Sequence, residues 1–370
     1  MQSLAKRNTA VDAYRGFVMF LMLAEVLELA QVSKGSPGNW LLSFLAYNQT
    51  HVDWAGCSLH DMIQPSFSFL VGVALPYSIA SRLSKGQSTM GMFGHALWRG
   101  FLLAALGIFL RSTHSSMTNF TFEDTLTQIG LGYPFLFLLG LRSPRWLWTA
   151  FGVILFGYWL AWMLYPAPSF EAHWFKNANL GSAFDQWFLN LFPRPQRFIE
   201  NRGGYLTLSF IPTLGTMLLG LIAGRWMKDA PAIPLRRFWL AGMIAIVAGL
   251  ALHFTGLCPI VKRIWTPAWV LFSGGLCFWF LAAFNWAVEV KGWKKAAFPL
   301  VVIGMNSIAA YCMDHLIGQW IVDTFHIHLG KHFFGFAGKV WEPFVLGCAT
   351  LAFYWLVLWW MYRRKLFLRV

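Results

Sequence analysis

Residues 50–76 read THVDWAGCSLHDMIQPSFSFLVGVALP, a short polar run that leads straight into a stretch fit to lie in lipid. The first half carries His51, Asp53, His60 and Asp61; the half that follows carries no charge. A bare membrane anchor has no use for so many titratable groups at its mouth. Whether the apolar half is a lone anchor or one span of many decides the fold, and composition answers it. Hydrophobic residues make up 57% of the 370 and charged residues 12%, about half the ~25% charged fraction of a soluble chain.

Ten apolar runs approach the ~20 residues that cross a bilayer core: 16–33, 62–81, 96–111, 125–141, 146–165, 206–224, 238–255, 266–286, 298–318 and 343–362. A lipid-facing backbone must satisfy its own hydrogen bonds, which leaves helices or a closed barrel. The period-2 alternation of barrel strands is absent from these runs. The expected fold is therefore all-α: a polytopic transmembrane helix bundle of about ten spans, one domain over 1–370. Glu25 and Glu28 interrupt the first run and no small-residue cleavage site follows it, so it does not read as a cleavable signal.

Orientation follows from lysine and arginine. With the N-terminus in the cytoplasm, the inner segments collect Lys6, Arg7 and Arg15; Arg82, Lys85 and Arg99; Arg142 and Arg145; Arg225, Lys228, Arg236 and Arg237; Lys291, Lys294 and Lys295; and Arg363, Arg364, Lys365 and Arg369. Both termini are then cytoplasmic, and the long segments 34–61, 166–205 and 319–342 face outward. The net charge of +14 is spread in small clusters at membrane edges rather than on one basic face, so no nucleic-acid partner is expected. The five cysteines show neither disulfide nor zinc spacing. HIHLGKH (326–332) offers three imidazoles, but no carboxylate or cysteine completes a set and Lys331 would oppose a cation, so no metal is expected.

Asp61 has two readings. With Ser58 three residues before it, it matches a capping box at the start of the second span. It would also orient His51, and a neutral imidazole held by a carboxylate is a general base near neutral pH. A lone membrane-edge histidine is more often structural. Glu25 and Glu28, inside the first span, should face a cavity or a partner. Asn306, in GMNSIAAY, is helix–helix glue or lines a site. Asp12 and Arg15, in VDAYRG, form an interfacial pair or present a cation to a phosphate.

Six segments in order carry a family pattern: VDAYRG (11–16), HVDWAG (51–56), DMIQPSFSFLVGVA (61–74), FEDTLTQIGLGY (122–133), LSFIPTLGTMLLGLIAGRW (208–226) and PLVVIGMNSIAAY (299–311). Together they resemble the heparan-α-glucosaminide N-acetyltransferase family, with matches at Asp12, Arg15, Gly16, His51, Trp54, Gly56, Asp61, Pro65, Phe67, Phe69 and Gly72. The resemblance implies transfer of an acetyl group from cytoplasmic acetyl-CoA to an amino sugar of glucosamine type on the outer side. It implies His51 as base in direct transfer or as acetyl carrier, and Asp61 as its partner. Asn306, Glu25 and Trp54 are expected in support, and Arg15, Asp12 and Arg99 in binding the cofactor, its phosphates meeting the basic clusters. Asp53 and His60 are expected in lesser roles. The implied partners are acetyl-CoA, a carbohydrate acceptor and membrane lipid; a homodimer is left open.

Two departures matter. Animal lysosomal members carry an asparagine late in span one, a natural oxyanion donor, where this chain reads LMLAEVLEL with Glu25 or Val26 nearest. The chain also starts almost at span one, which points to a member of the bacterial inner (cytoplasmic) membrane with a cell-wall or periplasmic amino sugar as acceptor. The rival readings are an O-acyltransferase of a cell-surface glycan and a small-solute transporter.

Overall fold

The computed structural model describes residues 8–230 and 232–368; Lys6, Arg7 and Arg369 of the orientation argument lie outside them. Among the described residues the regular elements are helical, and the one β-bridge is an isolated antiparallel pair, Ala55 with Val261. The helices are α1 (Thr9–Leu23), α2 (Leu29–Lys34), α3 (Trp40–Asn48), α4 (Ile63–Leu83), α5 (Thr89–Ser112), α6 (Thr125–Gly140), α7 (Pro144–Leu164), α8 (Leu180–Phe188), α9 (Phe210–Asp229), α10 (Leu235–Phe254), α11 (Pro267–Asn285), α12 (Lys294–Met305), α13 (Ser307–Leu329) and α14 (Glu342–Arg363). Every apolar run overlaps a helix, but the lengths differ from the expectation and two of the runs are broken. Seven helices (α4, α5, α7, α9, α10, α11 and α14) are long and apolar enough to cross a membrane alone, and α12 with α13 makes an eighth as a pair bent by 65°. Helices α1, of 15 residues, and α6, of 16, fall short of the ~20 that span a bilayer unaided.

The first expected span, 16–33, is not one helix. α1 ends at Leu23, a 3-10 turn covers Ala24–Leu27, and Glu28 adopts a left-handed φ of 48° before α2 begins. The break is tolerated because Gln49 caps it. Its side-chain oxygen accepts from Leu29 N–H at 2.9 Å, and its amide donates to the Ala24 carbonyl, so the freed backbone groups keep partners away from lipid. The expected span 298–318 likewise breaks at Asn306, and α13 continues through nearly the first half of the segment assigned as the outer loop 319–342.

Helices α4 and α9 form the centre. Of the apolar window of α9, 83% is buried, against 17% for α7, whose Trp146, Val153, Phe156 and Leu164 point outward as a lipid-facing side must. The α4–α9 contact depends on glycine. A Cβ at Gly220 would stand 1.8 Å from the Phe69 carbonyl oxygen, and one at Gly72 would stand 2.0 Å from that of Met217. Close backbone approach supplies the packing energy that apolar surface cannot supply between helices in lipid. With one side of α4 held on α9, its other side is turned to α1 and α6, and the cavities described next open there.

Candidate active site

The turn after His51 is built by Gly56, whose φ of 125° few other residues adopt. Gly56 N–H donates to the Ile260 carbonyl at 3.0 Å, beside the Ala55–Val261 bridge. This pairing lays the short segment between α10 and α11 on the His51 turn. It delivers Lys262, which is only 4% exposed, to a carboxylate that the same turn has buried.

Asp61 is the hub. Its Oδ1 lies 2.8 Å from His51 Nδ1 and 3.2 Å from Lys262 Nζ, and Lys262 Nζ lies 3.1 Å from His51 Nδ1. Its Oδ2 accepts from Ser58 N–H at 3.1 Å and from Val52 N–H at 3.2 Å, while Asp61 N–H donates to Ser58 Oγ at 3.3 Å. The reciprocal bonds of a capping box and the histidine contact therefore coexist, one carboxylate oxygen serving each. They close around the 3-10 turn His60–Met62 rather than the first turn of α4.

A Nδ1–H donated to Asp61 leaves Nε2 as the nitrogen with a lone pair, and Nε2 has no hydrogen-bond partner among the described residues. Burial lowers the His51 pKa from its ordinary 6.5; the Asp61 hydrogen bond opposes that shift and the Lys262 charge adds to it. The imidazole is thus neutral at neutral pH. Burial also lowers the Lys262 pKa, against the pull of Asp61.

His51 opens on a cavity of about 390 Å³ that Glu25, His60, Gln64, Lys262 and Asp314 also line. His60 Nε2 lies 2.9 Å from Glu25 Oε1, and its ring is 4.5 Å from that of His51, so His60 lines the same cavity beside it. The Glu25 side chain is 57% exposed. A second cavity, of about 570 Å³, meets the first at Phe67, Thr125 and Tyr311 and ends among Arg15, Arg82, His95 and Arg99. One face of α4 lines both: Ile63, Gln64, Phe67, Leu70, Ala74, Ser78 and Arg82 recur every one to four residues. At 1.5 Å per residue that face runs roughly 28 Å, close to the ~30 Å hydrocarbon thickness of a bilayer.

The other residues singled out from sequence scatter. Arg15 and Arg99 line the second cavity, Arg15 beside Asp12 at 3.3 Å and Arg99 donating to Tyr133 Oη at 3.1 Å. Asp12 is buried and does not line it. Asn306 donates to the Leu366 carbonyl at 3.0 Å and accepts from Leu368 N–H at 3.2 Å, so it ties the C-terminal stretch to the α12–α13 break and stays out of the His51 cavity. The Trp54 indole donates to the Trp174 carbonyl at 3.0 Å and pins the 166–205 segment over the turn. Lys262 escaped the sequence reading; its one signal was a Lys-Arg pair at 262–263 on the side where orientation predicts few basic residues. No group of three or more metal-ligating side chains lies together among the described residues.

An all-helical bundle with membrane-length apolar helices, in which a histidine meets a buried carboxylate and lysine beside two adjoining cavities, defines an integral membrane protein. The chain is similar to heparan-alpha-glucosaminide N-acetyltransferase of Mus musculus, 23% identical over 428 aligned residues covering 100% of this chain and 61% of the relative. It is also similar to the protein of that name from Homo sapiens, 24% identical over 370 residues covering 84% of this chain and 53% of the relative. The chain thus spans between half and two thirds of the length of these relatives. The resemblance carried by the motifs is matched along most of the chain. No protein-family model matches it.

Proposed function

We propose that the protein is a membrane acetyltransferase that moves an acetyl group from acetyl-CoA, held at the arginine-lined end, to the amine of an amino sugar at His51. The observation that carries this reading is the meeting of the two cavities at Phe67, Thr125 and Tyr311, which leaves a path along α4 from Arg15, Arg82 and Arg99 to His51. Guanidinium groups suit the phosphates of the donor, and the path suits its extended thioester arm. In this reading the chain crosses the membrane about ten times with both termini and the arginine end in the cytoplasm, and His51 faces outward.

The neutral amine attacks the thioester carbonyl, and His51 Nε2 takes the proton that the new C–N bond makes acidic. The tetrahedral oxyanion collapses, the C–S bond breaks, and the departing thiolate takes the proton back from the imidazolium. The products are the N-acetyl sugar and free CoA. Asp61 holds the tautomer, and Lys262 keeps the resting imidazole neutral while making the imidazolium a better acid toward the thiolate. A positioned base of this kind contributes roughly 10²–10⁴-fold.

The test is the full-length protein purified in detergent, titrated with acetyl-CoA and assayed for thiol release with glucosamine. Binding and amine-dependent thiol release are expected. Absence of binding at millimolar acetyl-CoA would overturn the reading and favour a transporter.

A further inference from the structure

A third cavity, of about 580 Å³, lies beside the His51 cavity and shares Asp314 with it. Its walls are the unwound end of the first helix at Val26 and Glu28, α2 at Gln31, α13 from Asp314 to His326, and the first turns of α14. We propose that this cavity is the subsite for the second and following sugars of an oligosaccharide acceptor that carries free amines, its terminal amine reaching His51 past Asp314. The inference rests on the acetyl-transfer reading and deepens it by naming the kind of acceptor.

Three observations support it. Polar side chains stand in the cavity among apolar ones such as Val26, Val322 and Leu346: Glu28, Gln31, His326, Lys331, His332 and Glu342 line it and form no side-chain hydrogen bond or ion pair with other described residues. Such a mixture of unpaired donors and acceptors suits sugar hydroxyls, which need both, and the volume falls within the ~300–1,000 Å³ of ligand sites. Its charge also discriminates. Three carboxylates, Glu28, Asp314 and Glu342, face one lysine, Lys331, so a glycan bearing ammonium groups is favoured over one bearing uronate or sulfate. Finally, Glu28 holds a left-handed φ of 48° without being glycine, a conformation that persists mainly at functional sites, and the break it creates opens the wall between α1 and α2.

The experiment compares glucosamine, a β-linked glucosamine trisaccharide and a uronate-containing trisaccharide on the full-length protein and on Gln319→Trp, a substitution in the α13 wall that fills the cavity. Acetyl-CoA binding serves as the check that the variant is folded, and Glu342→Gln provides a milder second variant. The expected result is a kcat/KM for the glucosamine trisaccharide about tenfold above that for glucosamine, as two added neutral hydrogen bonds would give. That ratio should collapse toward one in Gln319→Trp and shrink in Glu342→Gln. Calorimetry without acetyl-CoA reads the cavity separately, with tighter binding of the glucosamine trisaccharide than of the other two sugars expected in the unaltered protein alone. Equal affinity for trisaccharide and monosaccharide, or an advantage that survives Gln319→Trp, overturns the inference. Preferential trisaccharide binding without thiol release from any amine leaves the subsite standing and overturns the transfer reading instead.

Discussion

Lys262 Nζ stands 3.1 Å from Nδ1 of His51 across 211 residues of chain, and both reach the same oxygen of Asp61. A cation so close to a base has a definite electrical effect. It discourages a second positive charge on the imidazole, and it does so where burial already disfavours that charge.

Replacing Lys262 with Met should therefore move the pH profile. The active base is the neutral imidazole, so kcat/KM falls as pH drops through the His51 pKa, and in the unaltered protein that limb lies below the ordinary 6.5. Removing the cation raises the His51 pKa, and the acid limb should shift to higher pH. A limb that stays in place would separate Lys262 from the electrostatics of His51.

His51→Ala should lower thiol release roughly 10²–10⁴-fold while acetyl-CoA affinity stays close to that of the unaltered protein, because the arginine end of the path is distant along α4. Rapid-mixing turnover and equilibrium binding on the same preparation check both halves. Retained turnover would place the base elsewhere.

Asp61 separates its two jobs by substitution. Asp61→Asn keeps an oxygen for the Ser58 and Val52 amides but turns its NH2 toward His51, forcing Nδ1 to accept and leaving the proton on Nε2. Activity should fall steeply. Both substitutions remove the counter-charge of buried Lys262, and Asp61→Ala also removes the oxygen that caps the turn, so Asp61→Ala should cost the more stability, about 3–5 kcal/mol. Equal unfolding of the two variants would make the carboxylate structural alone.

The arginine end can be tested by ligand dissection. Arg82→Gln should weaken acetyl-CoA binding about tenfold or more, the worth of a charge-assisted hydrogen bond, and leave S-acetyl-pantetheine binding unchanged. An equal loss for both ligands would remove the phosphate role.

Gly220→Ala asks how the path is held open. The added methyl would meet the Phe69 carbonyl at 1.8 Å, so α4 and α9 must separate, at a cost of about 1–3 kcal/mol. A lowered melting temperature together with weakened acetyl-CoA binding is the expected pair of effects, since the far side of α4 lines the path.

The sequence by itself determined the helical class, the places of the apolar runs and the pairing of His51 with Asp61. Hydropathy is a local property, and those two residues share one turn-bearing segment of eleven positions. What it misjudged was continuity. Carboxylates at 25 and 28 read as polar spots within a span, but Gln49, distant in sequence, caps a break there and so makes an interruption in apolar surroundings tolerable. Asn306 was legible as a polar residue within a helix, but its partners, Leu366 and Leu368, come from the far end of the chain. Only the tertiary structure decided that Lys262 and His60 line the cavity at His51, that Trp54 and Asn306 do not, and that three cavities lie in succession along α4 and α13. Each of these depends on backbone pairings and helix contacts between remote segments, such as Ala55 with Val261 and Phe69 with Gly220. A one-dimensional pattern of residue types carries no term for such encounters, because their energy comes from shape and from buried polar groups finding partners.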